Sequence, residues 1–270
     1  MKRFFLFLLT VLATVGCLSA QEVPPSGTPL PEVEEAGEER EWGVSLSVSY
    51  ASHYFDKGVY ANTDPIFQED LEVTWKDFFL GVTGILDCTD QNDHRQTFEE
   101  LDWTVGWSPT LGGEWEGPVQ GLDFKLAYVR YVYPRNRASD SQEINLAVNA
   151  QTLLSPGIDL YYDFEDSYFY GNLNLSHTFA LADGLDWDLG AQLWWGNHRF
   201  QMRDFEVRDN APFSLVTETS LTYTLREGIS FGPFASCGWA LGHEMRDVWK
   251  EAEDQSAFNW VAGVKLNLEF

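Results

Sequence analysis

Apolar and polar residues alternate with a period of two along most of the chain. The last stretch is the clearest: Phe258, Trp260, Ala262, Val264, Leu266, Leu268 and Phe270 interleave with Asn259, Gly263, Lys265, Asn267 and Glu269. Successive side chains of a strand point to opposite faces, so this pattern makes one greasy face and one wet face. Trp42, Val44, Leu46, Val48 and Tyr50 against Gly43, Ser45, Ser47 and Ser49 repeat it. So do Ile144, Leu146, Val148 and Ala150, and again Trp187, Leu189, Ala191, Leu193 and Trp195. No segment shows a helical period of comparable strength.

The pattern predicts about twelve strands, near 42–52, 66–75, 78–88, 98–107, 122–133, 142–154, 158–165, 168–180, 186–196, 212–225, 228–240 and 257–270. A sandwich strand averages about 5 or 6 residues, whereas a tilted membrane-crossing strand needs about 9 to 11, and most of these segments have the longer reach. Connections alternate between tight turns (Lys76-Asp77, Ala182-Asp183-Gly184, Arg226-Glu227-Gly228) and longer polar loops (53–65, 89–97, 134–141, 197–211, 242–256). Short turns at one end and long loops at the other are the asymmetry of a bacterial outer-membrane barrel. Residues 110–121 and Asp166-Ser167 break that alternation. In hydrocarbon every backbone polar group must be paired, so a sheet there must close on itself. The predicted fold is an all-β transmembrane antiparallel up-and-down barrel over 42–270, with both termini in the periplasm; a secreted two-sheet protein is the competing arrangement. Trp42, Trp75, Trp107, Trp187, Trp195 and Trp260 near strand ends suit interfacial girdles.

Composition removes other classes. A net charge of −25 argues against affinity for nucleic acid, which rests on cationic contacts to phosphate. Aromatic residues are 15% of the chain, too many for a disordered acidic polymer. Mean hydropathy is −0.26, and past the N-terminus no apolar run approaches the roughly 20 residues of a membrane helix. Residues 1–20 read as a secretory signal peptide: Lys2 and Arg3, an uncharged apolar run, then Leu18-Ser19-Ala20 before Gln21. Lipidation at Cys17 is the alternative. Losing Lys2 and Arg3 takes the charge from −25 to −27. Residues 21–41, rich in Pro and Glu, read as a solvated periplasmic tail. Cys88 and Cys237 are either two separate thiols or one bridge.

The five histidines, His53, His94, His177, His198 and His243, stand mostly in loops, and His177 follows Ser176 on a strand, where neighbours face apart. No nucleophile elbow, zincin motif or Cys/His spacing is present, so neither enzyme activity nor a metal or other cofactor is expected. Turning the apolar parity outward places Glu100, Asp102, Asp123, Asp159, Asp163, Asp186, Asp188 and Glu218 on the inner face, with Asp70, Glu72 and Asp87. Lys125, Arg226 and Lys265 are the basic residues expected there. Carboxylates along a bore favour cations, while acids at hydrated rims would matter little. Twelve strands enclose a lumen between a filled eight-stranded barrel and an open porin, so it is narrow or plugged. The loop with His198, Arg199, Arg203 and Arg208 is read first as exposed, then as an inward constriction or a lipopolysaccharide contact. The function expected is a channel for small polar solutes or ions, cation-leaning, in contact with outer-membrane lipid; a surface-presenting barrel without transport is the alternative.

Two elements carry resemblances. A terminal aromatic in the last amphipathic strand, Phe270 after Leu266 and Leu268, resembles the signal read by the barrel assembly machinery. Ser52-His53-Tyr54-Phe55-Asp56-Lys57-Gly58-Val59, followed by Asp64-Pro65-Ile66-Phe67-Gln68, resembles the TorF-type porin family, which carries Ser-Asp-Tyr-x-Phe-Arg-Gly and then Asp-Pro-x-x-Gln. His53, Asp56 and Lys57 depart from that pattern. The resemblance covers about twenty residues and implies an outer-membrane barrel, with Ser52, Tyr54, Lys57, Gly58, Asp64 and Pro65 as the matching first-loop positions.

Overall fold

The computed structural model describes residues 41–89, 97–112, 118–134, 140–252 and 255–270. The expected signal peptide, the acidic tail up to Arg40, and His94 lie outside them. In chain order the strands are β1 (Trp42–Ala51), β2 (Tyr54–Asp56), β3 (Val59–Asn62), β4 (Ile66–Trp75), β5 (Phe78–Asp87), β6 (Phe98–Trp107), β7 (Thr110–Gly112) and β8 (Gly121–Val132). They continue with β9 (Ser141–Ala150), β10 (Gly157–Asp163), β11 (Tyr168–Ala182), β12 (Leu185–Gly196), β13 (Pro212–Arg226), β14 (Ile229–Ala240) and β15 (Phe258–Glu269). Two helices cap the loop end, α1 (His198–Phe205) before β13 and α2 (His243–Glu251) before β15.

Twelve long strands form the wall, each antiparallel to its neighbours, and β6 pairs with β8 while β15 returns to β1, so the sheet closes. The seam is finished by the chain end: Phe270 N donates to Val44 O at 2.9 Å, and Val44 N to Phe270 O at 3.2 Å. The two breaks in turn–loop alternation leave the count at twelve. β7 only extends the β8 edge below the wall, and Asp163 Oδ1 accepts from Asp166 N at 2.8 Å in the tight β10–β11 turn.

The outward parity is apolar. Val105 and Val264 are 53% and 57% exposed, which is costly in water and favourable in hydrocarbon. Aromatics gather at both rims of this band: Trp42 stacks on Trp75 with ring centroids 5.9 Å apart at the turn end, and Phe169 meets Trp195 at 5.3 Å at the loop end. A closed sheet with this exterior crosses a bilayer, and its end asymmetry is that of the bacterial outer membrane. Cys88 and Cys237 are separate free thiols.

The interior differs from a uniformly wet bore. Its loop-side half is filled by an apolar core of Tyr170, Trp194, Phe200, Phe205, Phe213, Met245 and Trp249, onto which Phe55 and Val59 pack. Ile66, Ile85 and Val261, on the inward parity, make a second cluster under Tyr54 and Phe55. Alternation therefore separates inside from outside along the whole wall, but the loop-side half of the inside combines an apolar filling with buried polar residues such as Glu143 and Asp163.

Candidate functional site

The first loop folds into the barrel as a two-stranded hairpin, β2–β3. Its turn is Lys57-Gly58, with φ of +48° and +98°. Positive φ at both central residues is the turn whose twist matches the flanking strands, and glycine takes the more open of the two at no steric cost. The tip is fastened to the wall of β13–β15. Ser214 Oγ donates to Lys57 O at 2.7 Å, and Asn259 Nδ2 to Gly58 O at 3.1 Å. Gly238 lies directly beneath: a Cβ there would come within 2.5 Å of Gly58 Cα, so only glycine lets the hairpin approach this closely. Higher up, Gln255 pairs with both Tyr60 N (3.2 Å) and Tyr60 O (2.8 Å), treating the hairpin edge as another strand.

Side chains of the hairpin then reach across. Tyr54 Oη donates to Glu100 Oε2 at 2.9 Å on β6. Lys57 Nζ pairs with Asp56 at 2.5 Å and stands 5.2 Å and 5.7 Å from the Tyr170 and Trp194 ring centroids. A cation over aromatic faces, away from water, is held more firmly than one at an exposed site. Tyr170 Oη in turn donates to Glu143 Oε2 at 2.5 Å, and Tyr131 Oη to Glu143 Oε1 at 3.1 Å. Burial pulls the Lys57 ammonium downward, but Asp56, Glu143 and Asp204 outweigh it and its pKa rises, so it stays charged. Burial and the nearby Glu100 push the Tyr54 hydroxyl well up, leaving it a donor. On α1, burial raises Asp204 to about 6 against the opposing pull of Lys57 and Arg203.

Of the other first-loop positions, Ser52 N donates to Ala262 O at 2.9 Å and its Oγ accepts from Ala262 N at 3.2 Å, continuing the seam by one residue. Asp64 is buried and accepts from Thr89 Oγ1 at 2.6 Å, while Pro65 O accepts from Cys88 N at 3.0 Å. These contacts return the chain to the wall.

The wall places Glu100, Asp102, Asp123, Lys125, Asp159, Asp163, Asp186, Asp188, Glu218 and Lys265 on the inward parity, opposite such partners as Thr83, Asn149, Thr222 and Ser236. They form two groups. Glu100, Asp102 and Asp163 stand toward the loop end, with Glu143. Asp123, Asp186, Asp188 and Glu218 line the turn-side half, with Asp159 at mid-wall. Their carboxylates are held by neutral donors: Asp188 accepts from Thr178 (2.7 Å), Ser220 (2.9 Å) and Thr222 (3.2 Å), and Asp123 from Thr110 (2.7 Å) and Gln151 (2.9 Å). Among the described residues none of these wall acids forms an ion pair. Lys125 lies over the Phe79 ring at 5.1 Å. Arg226 is a correction: a register shift after Thr224 sets it opposite Ile229 on the outward side, at the rim.

The loop read first as exposed, then as inward, divides its residues: His198, Arg199, Arg203 and Arg208 are exposed while its aromatics turn inward. Residues 198–205 are helical, capped by Asn197 Oδ1 accepting from Phe200 N, with Phe200 and Phe205 buried in the interior core. Arg199, Arg203 and Arg208 instead line an extracellular hollow with His198 and Asp166. Sequence reasoning missed Glu143, Tyr170, Ser214, Gly238 and Asn259. Each is an ordinary inward strand residue, and only the Lys-Gly pair between Tyr54-Phe55 and Val59-Tyr60 signalled the hairpin they receive. Elsewhere, His177 faces outward with Nδ1 2.5 Å from Leu153 O, and Ser176 faces inward. His53 stacks on Tyr60 at 4.6 Å, and burial lowers its pKa against the pull of Asp64.

No protein-family profile matches the chain, and no curated protein does. Among solved structures it is similar to a KdgM porin at 10% identity, covering 84% of this chain and 98% of that one with a TM-score of 0.45. It is also similar to the translocator domain of the autotransporter NalP from Neisseria meningitidis, at 10% identity, 87% and 90% coverage and a TM-score of 0.44. The outer membrane channel DcaP of Acinetobacter baumannii gives 9% identity, 85% and 96% coverage and 0.36. The likeness is one of barrel architecture alone.

Proposed function

We propose that this barrel is a narrow outer-membrane channel for small polar solutes or ions, leaning toward cations, with its bore limited by the β2–β3 hairpin. The observation that carries the reading is the state of the wall acids. The carboxylates of Asp188 and Asp123 are held by hydroxyls and an amide, and among the described residues no basic side chain is paired with either. A low-dielectric wall focuses that charge into the bore, which favours cations and opposes anions. The hairpin and its aromatic bed supply the size limit, and Lys57 sits in the constriction as its one cation from the first loop. Phe270 acts in biogenesis, as the terminal residue that engages the barrel assembly machinery. Activity as a hydrolase finds no comparable support: the one Ser–His contact, Ser52 Oγ to His53 Nδ1 at 2.8 Å, is between chain neighbours, and the same hydroxyl accepts from Ala262 N at the seam. Planar-bilayer recording of the purified protein under a potassium chloride gradient tests the reading. Discrete small steps with a cation-selective reversal potential are expected; an insulating barrel or anion selectivity overturns it.

A further inference from the structure

On the outside of the cylinder, α2 straddles the rim above β13, β14 and β15. Met245 and Trp249, one turn apart, are 3% and 1% exposed and belong to the interior core. Arg246 and Lys250, also one turn apart, are exposed and overhang a groove of about 640 Å3 whose floor is Leu215, Thr217, Trp239 and Phe258. Register makes the location definite. Leu215 pairs with Trp239 and Trp239 with Phe258, so the three form the last outward row before the loops. The Trp239 and Phe258 rings meet at 5.3 Å. In a barrel of this orientation that row sits where acyl chains end and headgroups begin.

The two cations are available. Arg246 Nε donates to Ala240 O at 3.2 Å, which ties the guanidinium to the strand end, and among the described residues its other nitrogens make no hydrogen bond. The nearby Asp247 is taken by His243 at 3.0 Å, and among the described residues neither Arg246 nor Lys250 forms an ion pair. On a chain of net charge −25, a pair of unmatched cations above a greasy floor on the lipid side is specific charge complementarity. We propose that the groove binds a phosphorylated glycolipid of the outer leaflet, of lipid A chemistry. Its acyl chains lie on Leu215, Trp239 and Phe258, and one phosphate is gripped by Arg246, whose fork matches phosphate oxygens, with Lys250 beside it.

The test uses full-length protein in maltoside micelles, with native mass spectrometry counting bound lipid during titration. The probes are bisphosphorylated lipid A, the same lipid enzymatically dephosphorylated, and phosphatidylglycerol. Bisphosphorylated lipid A is expected to bind best, and Arg246→Gln/Lys250→Gln to weaken it about thirty-fold. Heat-modifiable gel mobility verifies folding; should the double variant lack it, Lys250→Gln alone carries the test with about a five-fold loss. Wild-type affinity in the variant, or equal binding of the dephosphorylated lipid, overturns the site. Equal binding of phosphatidylglycerol overturns its assignment to a glycolipid.

Discussion

The Tyr54 hydroxyl donates to Glu100 Oε2 at 2.9 Å, joining the tip-bearing strand of an inward loop to the opposite side of the barrel that surrounds it. Glu100 also accepts from Tyr133 at 3.3 Å, so two phenols from different loops converge on one wall carboxylate. A hydrogen bond to a charged group contributes about 1.5–3 kcal/mol. Tyr54→Phe removes one of the two without altering the ring. Single-channel traces of this variant are expected to show more frequent excursions to a larger conductance level, as the hairpin swings from the β6 side. Traces indistinguishable from wild type would show that the hairpin is held by its tip alone.

Gly58 is the stricter point of attachment. Its φ is +98°, and a Cβ would come within 3.0 Å of Trp249 Cη2 and 3.3 Å of Ser214 Cβ. Gly58→Ala is expected to cost about 1–3 kcal/mol at the tip and to raise mean conductance, with the barrel itself still heat-modifiable on gels. Unchanged conductance would mean that the tip does not limit the bore.

Docking of α1 should depend on acidity. The Asp204 pKa is raised to about 6 by burial, above the roughly 3.9 of a free carboxyl, so the docked state binds the proton more tightly than the undocked one. The resulting stabilisation is complete below about pH 4 and is lost as pH rises through about 6. Loop-opening events should therefore become rarer between pH 7 and pH 5, and Asp204→Asn should flatten that dependence. A profile that survives the substitution assigns the effect to another group.

The wall acids make a graded prediction. Two unit charges about 5 Å apart interact by about 0.8 kcal/mol in water, and physiological salt leaves roughly half of that. Neutralising one acid should then disfavour the cation and favour the anion about two-fold each. Each of Asp186→Asn, Asp188→Asn and Glu218→Gln should therefore lower the potassium-to-chloride permeability ratio about four-fold, measured as reversal potential. Asp123→Asn, held by the same kinds of donor, should behave alike. A ratio unmoved by the triple substitution would place the selectivity elsewhere.

The cylinder was legible in the sequence because its signal is repeated. Each wall strand carries the same inside–outside alternation, and the positions from Trp42 to Trp75 predicted that pair to within a residue. What the loops do was not legible, because it depends on a surface the chain builds from distant pieces. Ile66, Ile85 and Val261 break no outward pattern; they are merely apolar where polar residues are equally allowed, and their meaning appears only once Tyr54 and Phe55 lie on them. Phe200 and Phe205 read as stray aromatics in a basic loop until the helix turns them toward Trp194 and Phe213. Arg226 was misplaced for a simpler reason, since a one-residue register shift reverses every side chain beyond it.

The Gly58 carbonyl waits for Asn259, 201 residues further along. Ser214, which holds the Lys57 carbonyl, and Gly238, which lies against Gly58, also come late. A chain cut short before its final hairpin therefore lacks both the seam that seals the sheet and the fittings that narrow it. If the hairpin limits the bore as proposed, closing the sheet and restricting passage depend on the same late strands, and a copy lacking them would be left open rather than leaky.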